Sequence, residues 1–582
     1  MSVRYKEVIC ISRIRTGGTI STGWRRISFG FATGLALAFW GLPTPAQVAS
    51  TPPSSGQILR QVEQASKSLP PQDSLKLDVE KEAQPALQAP ASATFHVKGF
   101  RIRGNTIYAE SRLKGLLQDA IGRELDLAGL EDVVARITHY YRQHGYLLAR
   151  AYLPAQDIRD GVVEITVLEG RYDKIVLHNR SFVKDWAVDA PLRILEPGDV
   201  VQAQRLERTL LLAGDLPGVG DVVSTLHPGN TVGTSQLDVE APPAPRISGS
   251  VSLDNYGNRY TGSTRLGGAV AINSPLGIGD LLTVNGLASN EDQYYGRASY
   301  QVPLDSYGTQ IGVDYSAMSY SLGKEFDVLK AHGTARTFGG FVIQPWVRHR
   351  DFNLSTQLSV DKKQLVDKVD AFGTRSGRNL LDWTLALNGN SRDQWGGGGV
   401  NSFSLSYMTG QLDLRDPLPE LIDALTARSK GHFHVWNISL LRLQRLTERF
   451  SLYGSIQAQW ASKNLDAAEK FQLGGAYNIR GYPQGEGSGD QGYSATLELR
   501  YALTPAWQLG GFYDLGHVMI NKNPWTPDSN GRTLGDAGVA LRWNYAAHWG
   551  LDTAVAWRVT GGEANSAPDR DPRFWVRGSY YF

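Results

Sequence analysis

The chain has 582 residues, long enough for more than one domain, with 59 basic and 57 acidic side chains. That near balance argues against a nucleic-acid binder, which carries a strong basic excess. With 63 glycines, 10% aromatic and 20% charged residues, it is rich in turn formers and interface aromatics, as β-rich envelope proteins are.

A basic lead (Arg4, Lys6, Arg13, Arg15, Arg25, Arg26) precedes the apolar run "FGFATGLALAFWGL" and then "PTPAQ". A charged stretch, a short apolar core and a small residue at Ala46 predict a cleaved export signal over 1–46. The apolar run is short of the roughly 20 residues that a spanning helix needs. The Arg25-Arg26 pair does not make this a twin-arginine signal, because that route carries folded cargo. Cys10, the only cysteine, lies inside the signal, so a mature chain would have no thiol chemistry, disulfide or cysteine metal site. Beyond the signal no stretch approaches 18 consecutive apolar residues, so membrane spanning would require a barrel.

"QILRQVEQASKSL" sets Ile58, Leu59, Val62, Ala65 and Leu69 near helical spacing, with Ser54 and Ser55 able to cap. This predicts a short, mostly polar helix over 54–69, tethered by a linker over 70–93. Residues 94–170 read as an α/β unit. "FHVKGFRIRGNT" alternates into a Gly104-Asn105 turn, and "AESRLKGLLQDAIG" is helical. "LAGLEDVVARITHYYRQHG" puts Leu130, Val133, Val134, Ile137 and Tyr141 on one helix face. "YLLARAYLPAQDI" and "GVVEITVLEG" read as strands. Residues 171–243 repeat the plan: "DKIVLHN", a helical "DAPLRIL", "AQRLERTLLLAG", then "DVVSTLHPG" and "TSQLDVEAP".

From 246 to 582 the period is two. In "YSATLELRYAL", Tyr493, Leu497, Leu499 and Tyr501 share one face and Ser494, Thr496, Glu498 and Arg500 the other. "LDTAVAWRV" sends Leu551, Val555 and Trp557 one way, and "FWVRGSYYF" aligns Phe574, Val576, Tyr580 and Phe582. Segments of about ten residues with one apolar face and aromatic ends are a transmembrane β-barrel pattern. Sixteen candidate strands are expected, giving a membrane all-β class.

Motifs for catalysis are few. There is no H-E-x-x-H and no phosphate-loop lysine followed by Ser or Thr, and the 11 histidines are scattered. "HFHV" at 432–435 reads as an alternating strand. Gly487, Gly489 and Gly492 match G-x-G-x-x-G but run into a strand, where a dinucleotide site needs a helix. The expectation is no enzyme, no cofactor and no metal. One loop remains, about 463–492, glycine-rich and containing "NIRGYPQGEG". In solvent Arg480 needs no partner, whereas inside the lumen a desolvated guanidinium requires a carboxylate, best in bidentate geometry. If the apolar parity of "WQLGGFYDLGHV" faces lipid, Phe512 and Asp514 point inward, and Asp514 is the candidate partner.

These residues resemble a family. "NIRGY" (Arg480, Gly481, Tyr482) is similar to the V-R-G-Y/F loop of the BamA-like POTRA–barrel superfamily, with Ile479 where Val is commoner, and "FYD" to its F-x-D strand motif. Within it the chain resembles the TpsB transporters of two-partner secretion, the haemolysin secretion/activation proteins (ShlB/FhaC/HecB-like). "GQILRQVEQ" is similar to their plug helix, the α/β units to POTRA 1 and POTRA 2, and "VSLDNYGNRYTGSTRLGGAVAINSPLGIGDLL" to their first barrel hairpin. The resemblance implies an outer-membrane pore with periplasmic POTRA domains that secretes a large TpsA-type exoprotein by type V secretion. It implies that Arg480 pairs with Asp514 beside Phe512, that Ile58, Leu59 and Val62 belong to a plug, and that Phe582 is an assembly signal. The partners it implies are that exoprotein, outer-membrane lipid, the barrel-assembly machinery and periplasmic chaperones, and no nucleic acid. The rival is an outer-membrane assembly factor, against which two POTRA-like units and a plug helix count. A third reading, a passive porin, leaves the tethered helix without a role.

Overall fold

The computed structural model describes residues 52–64, 76–79, 94–158 and 160–582. The expected signal, the end of the expected plug segment (65–69) and most of the expected linker lie outside the described residues. The chain begins with helix α1 (Ser55–Glu63), whose N-cap Ser54 accepts the Gln57 N–H through its hydroxyl at 3.4 Å. Strand β1 (Lys76–Val79) follows.

The first α/β unit comprises β2 (Thr94–His96), β3 (Gly99–Arg103), α2 (Glu110–Gly115), β4 (Glu124–Asp126), α3 (Leu127–Gln143), β5 (Arg150–Tyr152) and β6 (Val162–Leu168). Its main sheet has the order β3-β6-β5. Asp126 caps α3 through the Gly129 N–H at 2.8 Å, and Leu130, Val133, Val134, Ile137 and Tyr141 are buried on the face the spacing implied. The stretch expected as one strand at 95–106 is two. The Val97 N–H bonds to Arg123 and the Lys98 N–H to Gly161, so the backbone changes partner between β2 and β3. The strand expected over 146–158 shrinks to β5, because Tyr146–Ala149 close a turn and Pro154 has no N–H to donate.

The second unit comprises β7 (Arg171–Asn179), α4 (Asp185–Leu192), α5 (Ala203–Gly214), β8 (Val223–Pro228) and β9 (Thr234–Ala241). Helix α4 starts earlier than the expected 189–195 and stops just after Pro191. Asp185 in its first turn suits the helix N-terminus. The sheet order is β1-β8-β9-β7. The linker therefore supplies a strand: β1 runs parallel to β8, from Lys76↔Val223 to Val79↔Leu226, and covers an edge that would otherwise leave its backbone unpaired. Glu169, 4% exposed, sits between the units. It accepts the N–H groups of Thr106 at 2.6 Å and Ile107 at 2.8 Å and the Tyr141 hydroxyl at 2.9 Å. Burial alone would raise its pKa, but the hydrogen bonds from Thr106 and Ile107 prevail and hold it below the usual carboxylate value.

The remainder is a closed barrel of sixteen antiparallel strands. Its first eight are β10 (Ile247–Asp254), β11 (Arg265–Asn273), β12 (Leu281–Ser289), β13 (Tyr294–Pro303), β14 (Gln310–Ser321), β15 (Ala331–Arg348), β16 (Phe352–Val369) and β17 (Thr374–Asp393). Strand β18 (Gly399–Leu414) is joined through helix α6 (Pro417–Leu425) to β19 (Gly431–Arg445), followed by β20 (Phe450–Ala461). A long loop with the two-residue strands β21 (Phe471–Gln472) and β22 (Ser488–Gly489) leads to β23 (Gln491–Ala502). The last strands are β24 (Trp507–Met519), β25 (Gly531–Tyr545), β26 (Trp549–Thr560) and β27 (Arg573–Tyr581). The seam joins β27 to β10, and Gly249 and Phe582 exchange both backbone hydrogen bonds at 2.9 and 3.0 Å.

Alternation sorts the wall. Leu497, Leu499, Tyr513, Trp557 and Phe574 are exposed on the outer face, while Glu498, Asp514 and Asp536 are buried on the inner one. The wall is uneven in height: β15 to β19 run 15–20 residues, β10 to β12 only 8–9. At the end away from the α/β units the long strands carry exposed polar residues, Lys362, Gln364, Lys368 and Gln411, beyond the apolar belt of Leu358, Trp383 and Leu405. At the other end the second unit is bolted on. Arg208 donates to the carbonyls of Tyr307, Pro345 and Trp346 at 2.9–3.1 Å, and Arg348 grips Asp215 through two bonds of 2.7 Å.

Candidate functional site: a loop and a helix inside the barrel

Residues 462–490 fold back into the lumen instead of projecting from the rim. The β21–β22 pair closes the loop, and Phe471, Leu473, Ile479 and Tyr482 form an apolar cluster with Val518 and Leu534 of the wall. That cluster sets Arg480 against the wall. Its Nε lies 2.7 Å from Asp514 Oδ2 and its Nη2 3.0 Å from Oδ1, the bidentate geometry that a desolvated guanidinium requires. The Phe512 ring lies under the guanidinium, 3.2 Å from its carbon. Glu498 adds a carboxylate 3.5 Å from Nη1.

Three further contacts have no counterpart in the sequence reading. The Gly481 N–H donates to Asp536 Oδ2 at 2.6 Å, the Trp575 Nε1–H donates to the Arg480 carbonyl at 2.7 Å, and the Tyr482 hydroxyl donates to the Thr560 carbonyl at 2.8 Å. Asp514 and Asp536 are direct cross-strand partners. One carboxylate therefore holds the guanidinium and its neighbour the next backbone N–H. The approach at Gly481 is so close that a Cβ there would stand 2.7 Å from the Asp536 Cβ, so only glycine fits without a shift. At the far end Glu486 accepts from Arg532 at 2.5 Å and from the backbone of Asn565 and Ser566 at 3.0 and 2.8 Å. The only signal for Asp536 was an acidic residue at an inward position of "LGDAGVALRW".

Helix α1 lies beside this loop. Ile58 and Leu59, 0% and 2% exposed, share a core with Met318, Leu412 and Phe433 of the wall, and Val62 packs against it. The helix read as mostly polar is thus seated on an apolar shelf inside the lumen. Its N-terminus is clamped: the Ser55 N–H donates to Asp367 at 2.8 Å, and Arg378 donates to the Ser55 hydroxyl at 3.0 Å, to Asp466 of the loop at 2.9 Å, and to Asp367. Gly56 touches the loop backbone, where a Cβ would meet the Ala468 nitrogen at 2.7 Å. Contacts further along are longer: Gln472 to the Gln57 carbonyl and Gln484 to Gln64 at 3.3 Å, and Tyr295 to Glu63 at 3.5 Å. Phe582 stands apart from the lumen, at the seam.

The family model described as haemolysin secretion/activation protein ShlB/FhaC/HecB matches residues 233–541, more than half of the chain. The chain belongs to that family. A second model, the ShlB-type POTRA domain, matches residues 95–170 of this ShlB/FhaC/HecB member. The heme/hemopexin transporter protein HuxB of Haemophilus influenzae is 30% identical over 465 residues, covering 78% of this chain and 81% of HuxB. The outer membrane transporter CdiB of Dickeya dadantii is 23% identical and covers 90% and 93% of the two chains. The solved structure of CdiB from Escherichia coli superposes with a TM-score of 0.69 at 21% identity, over 91% of this chain and 96% of that one, a likeness of fold. The chain is accordingly an outer-membrane transporter of two-partner secretion, a pore that exports a partner exoprotein, with its POTRA units on the periplasmic side.

Proposed function

We propose that this transporter exports one large, β-rich partner in unfolded form without a chemical step of its own, and that Arg480, Asp514 and α1 are its working parts. The observation that carries the reading is the contents of the lumen. A loop fastened by a buried bidentate ion pair and a short helix occupy the pore together, and the helix must leave for a chain to pass.

Capture falls to the first POTRA unit. Strand β5 pairs only with β6 among the described strands, and beside it a groove of about 940 Å³ runs under α3 past Arg136, Tyr140, Arg150 and Tyr152. An extended segment of the partner adds to such an edge through main-chain bonds, with side chains seated in the groove. The equivalent edge of the second unit, β8, is already taken by β1. Outer-membrane lipid surrounds the barrel, and in biogenesis the chain uses periplasmic chaperones and the barrel-assembly machinery, with Phe582 as the signal. Comparing culture medium and outer membranes by mass spectrometry, with and without this chain, tests the function. Loss of a single large protein from the medium over normal membranes is expected. Broad depletion of outer-membrane barrels would instead mean an assembly factor.

A further inference from the structure

The inner wall of the barrel has two characters. On β23 to β27 it presents Glu498, Arg500, Asp514, Asp536 and Arg542, which hold the inner loop or pair with one another. On the periplasmic half of β16 to β20 it presents neutral polar side chains. Ser355, Asn388, Ser404, Ser439 and Gln457 are successive cross-strand partners, one per strand, and so form an uncharged band across five strands.

Two cavities open on this band and share Ser404. One, of about 810 Å³, reaches down to Trp186 of α4, Leu304 and Pro345, where the second POTRA unit meets the barrel rim. Of its charged lining, Arg348 pairs with Asp215 and Arg193 with Asp189, and Asp305 accepts the N–H groups of Tyr307 and Thr309 at 2.9 and 3.0 Å. The other, of about 470 Å³, climbs past Thr384 and Asn437 to the C-terminal end of α1, and the charged residues that line it, Arg60 and Glu63, belong to α1 itself. Through Ser404 their linings connect the POTRA side to the helix along this flank of the lumen.

Resting on the pore reading above, we propose that the exported polypeptide is threaded in extended form along this neutral band, received at its mouth by Trp186, while the Arg480 end of the inner loop stays on β24 and β25. A moving chain must be held weakly and released everywhere, the same balance that conduction demands of a channel. Hydroxyl and amide side chains exchange hydrogen bonds with a passing backbone at little net gain over water. A charged wall out of bulk solvent would trap opposite charges and repel like ones. Trp186 is half exposed at the mouth, a large apolar face with a polar edge, suited to side chains of an unfolded segment.

The test places the photo-crosslinker benzoylphenylalanine at positions 404, 439 and 554 in cells secreting the partner that the medium comparison names. Ala554 lines the lumen beside Arg480 and Trp575, on the charged wall. Adducts containing the partner at 404 and 439, with none at 554, are expected. Equal adducts at 554, or secretion without adducts at 404 and 439, would overturn the route while leaving the pore function standing. If removing the whole chain takes nothing from the medium, the function fails and the route with it. Trp186→Ala is expected to lower secretion with normal barrel insertion, and Trp186→Phe to restore it; undiminished secretion by Trp186→Ala overturns the role of the mouth.

Discussion

The inner loop and helix α1 share one lumen and touch at Gly56 and Ala468, yet they are held differently. The loop is tied to the wall along its length: Arg480 on Asp514, Gly481 on Asp536, Tyr482 on the Thr560 carbonyl, and Glu486 on Arg532. The helix is gripped at Ser55 and rests on Ile58 and Leu59, and its side-chain contacts at Gln57, Glu63 and Gln64 are 3.3–3.5 Å long. Burying two such aliphatic side chains contributes about 1.5–3 kcal/mol each, comparable to one good charged contact. That difference in fastening suits the proposed function, in which the loop stays and the helix comes out.

Three changes probe that contrast, from the largest effect down. Arg480→Ala strips the loop of its anchor and leaves Asp514 buried without its partner, a local cost of about 3–5 kcal/mol. The barrel should still insert, shown by its heat-dependent gel shift, while the partner disappears from the medium; normal secretion by an inserted variant would refute the anchor. Deleting residues 56–69 should raise conductance in planar bilayers without loss of the barrel, and an unchanged conductance means α1 is no plug. Arg378→Gln loosens the Ser55 clamp but leaves the apolar shelf, so it should increase brief openings while the mean current stays below that of the deletion. If Arg378→Gln matches the deletion, the clamp alone holds the helix.

The smallest effect lies outside the pore. Glu169 has its pKa lowered in the folded state, so its stabilisation is complete above the unfolded carboxylate value and fades as pH falls through the lowered one. Glu169→Gln should therefore make the POTRA units more protease-sensitive at neutral pH, by about 1.5–3 kcal/mol for a lost charged hydrogen bond. The difference from wild type should vanish in acid, and a constant difference across pH would refute the linkage.

The barrel and the Arg480–Asp514 contact were legible because strand parity is local: in "FYD" it puts Phe512 and Asp514 on one face and Tyr513 on the other. Asp536 was not, since its role depends on which residue of β25 lies opposite Asp514, and register is set by the whole sheet. Nor was the Ser55 clamp, whose partners Asp367 and Arg378 are more than 300 residues away. Strand β1 hid in a polar linker because "KLDV" extends only where β8 offers an edge. Helix α4 was misplaced because its boundary turns on Asp185 and Pro191 rather than on apolar spacing.

The unequal strand lengths give the exit a shape. At about 3.3 Å per residue and a tilt of about 40°, strands of 18–20 residues rise roughly 45–50 Å and those of 8–9 roughly 20–23 Å. The barrel is cut obliquely, like a quill. Its tall lip, made by β15 to β19, stands on the flank that carries Ser355, Asn388, Ser404 and Ser439. A polypeptide climbing that flank leaves the bilayer with a β wall still behind it and open water in front. On the proposed route its emergence therefore has a direction in the plane of the membrane, toward the low side of the rim.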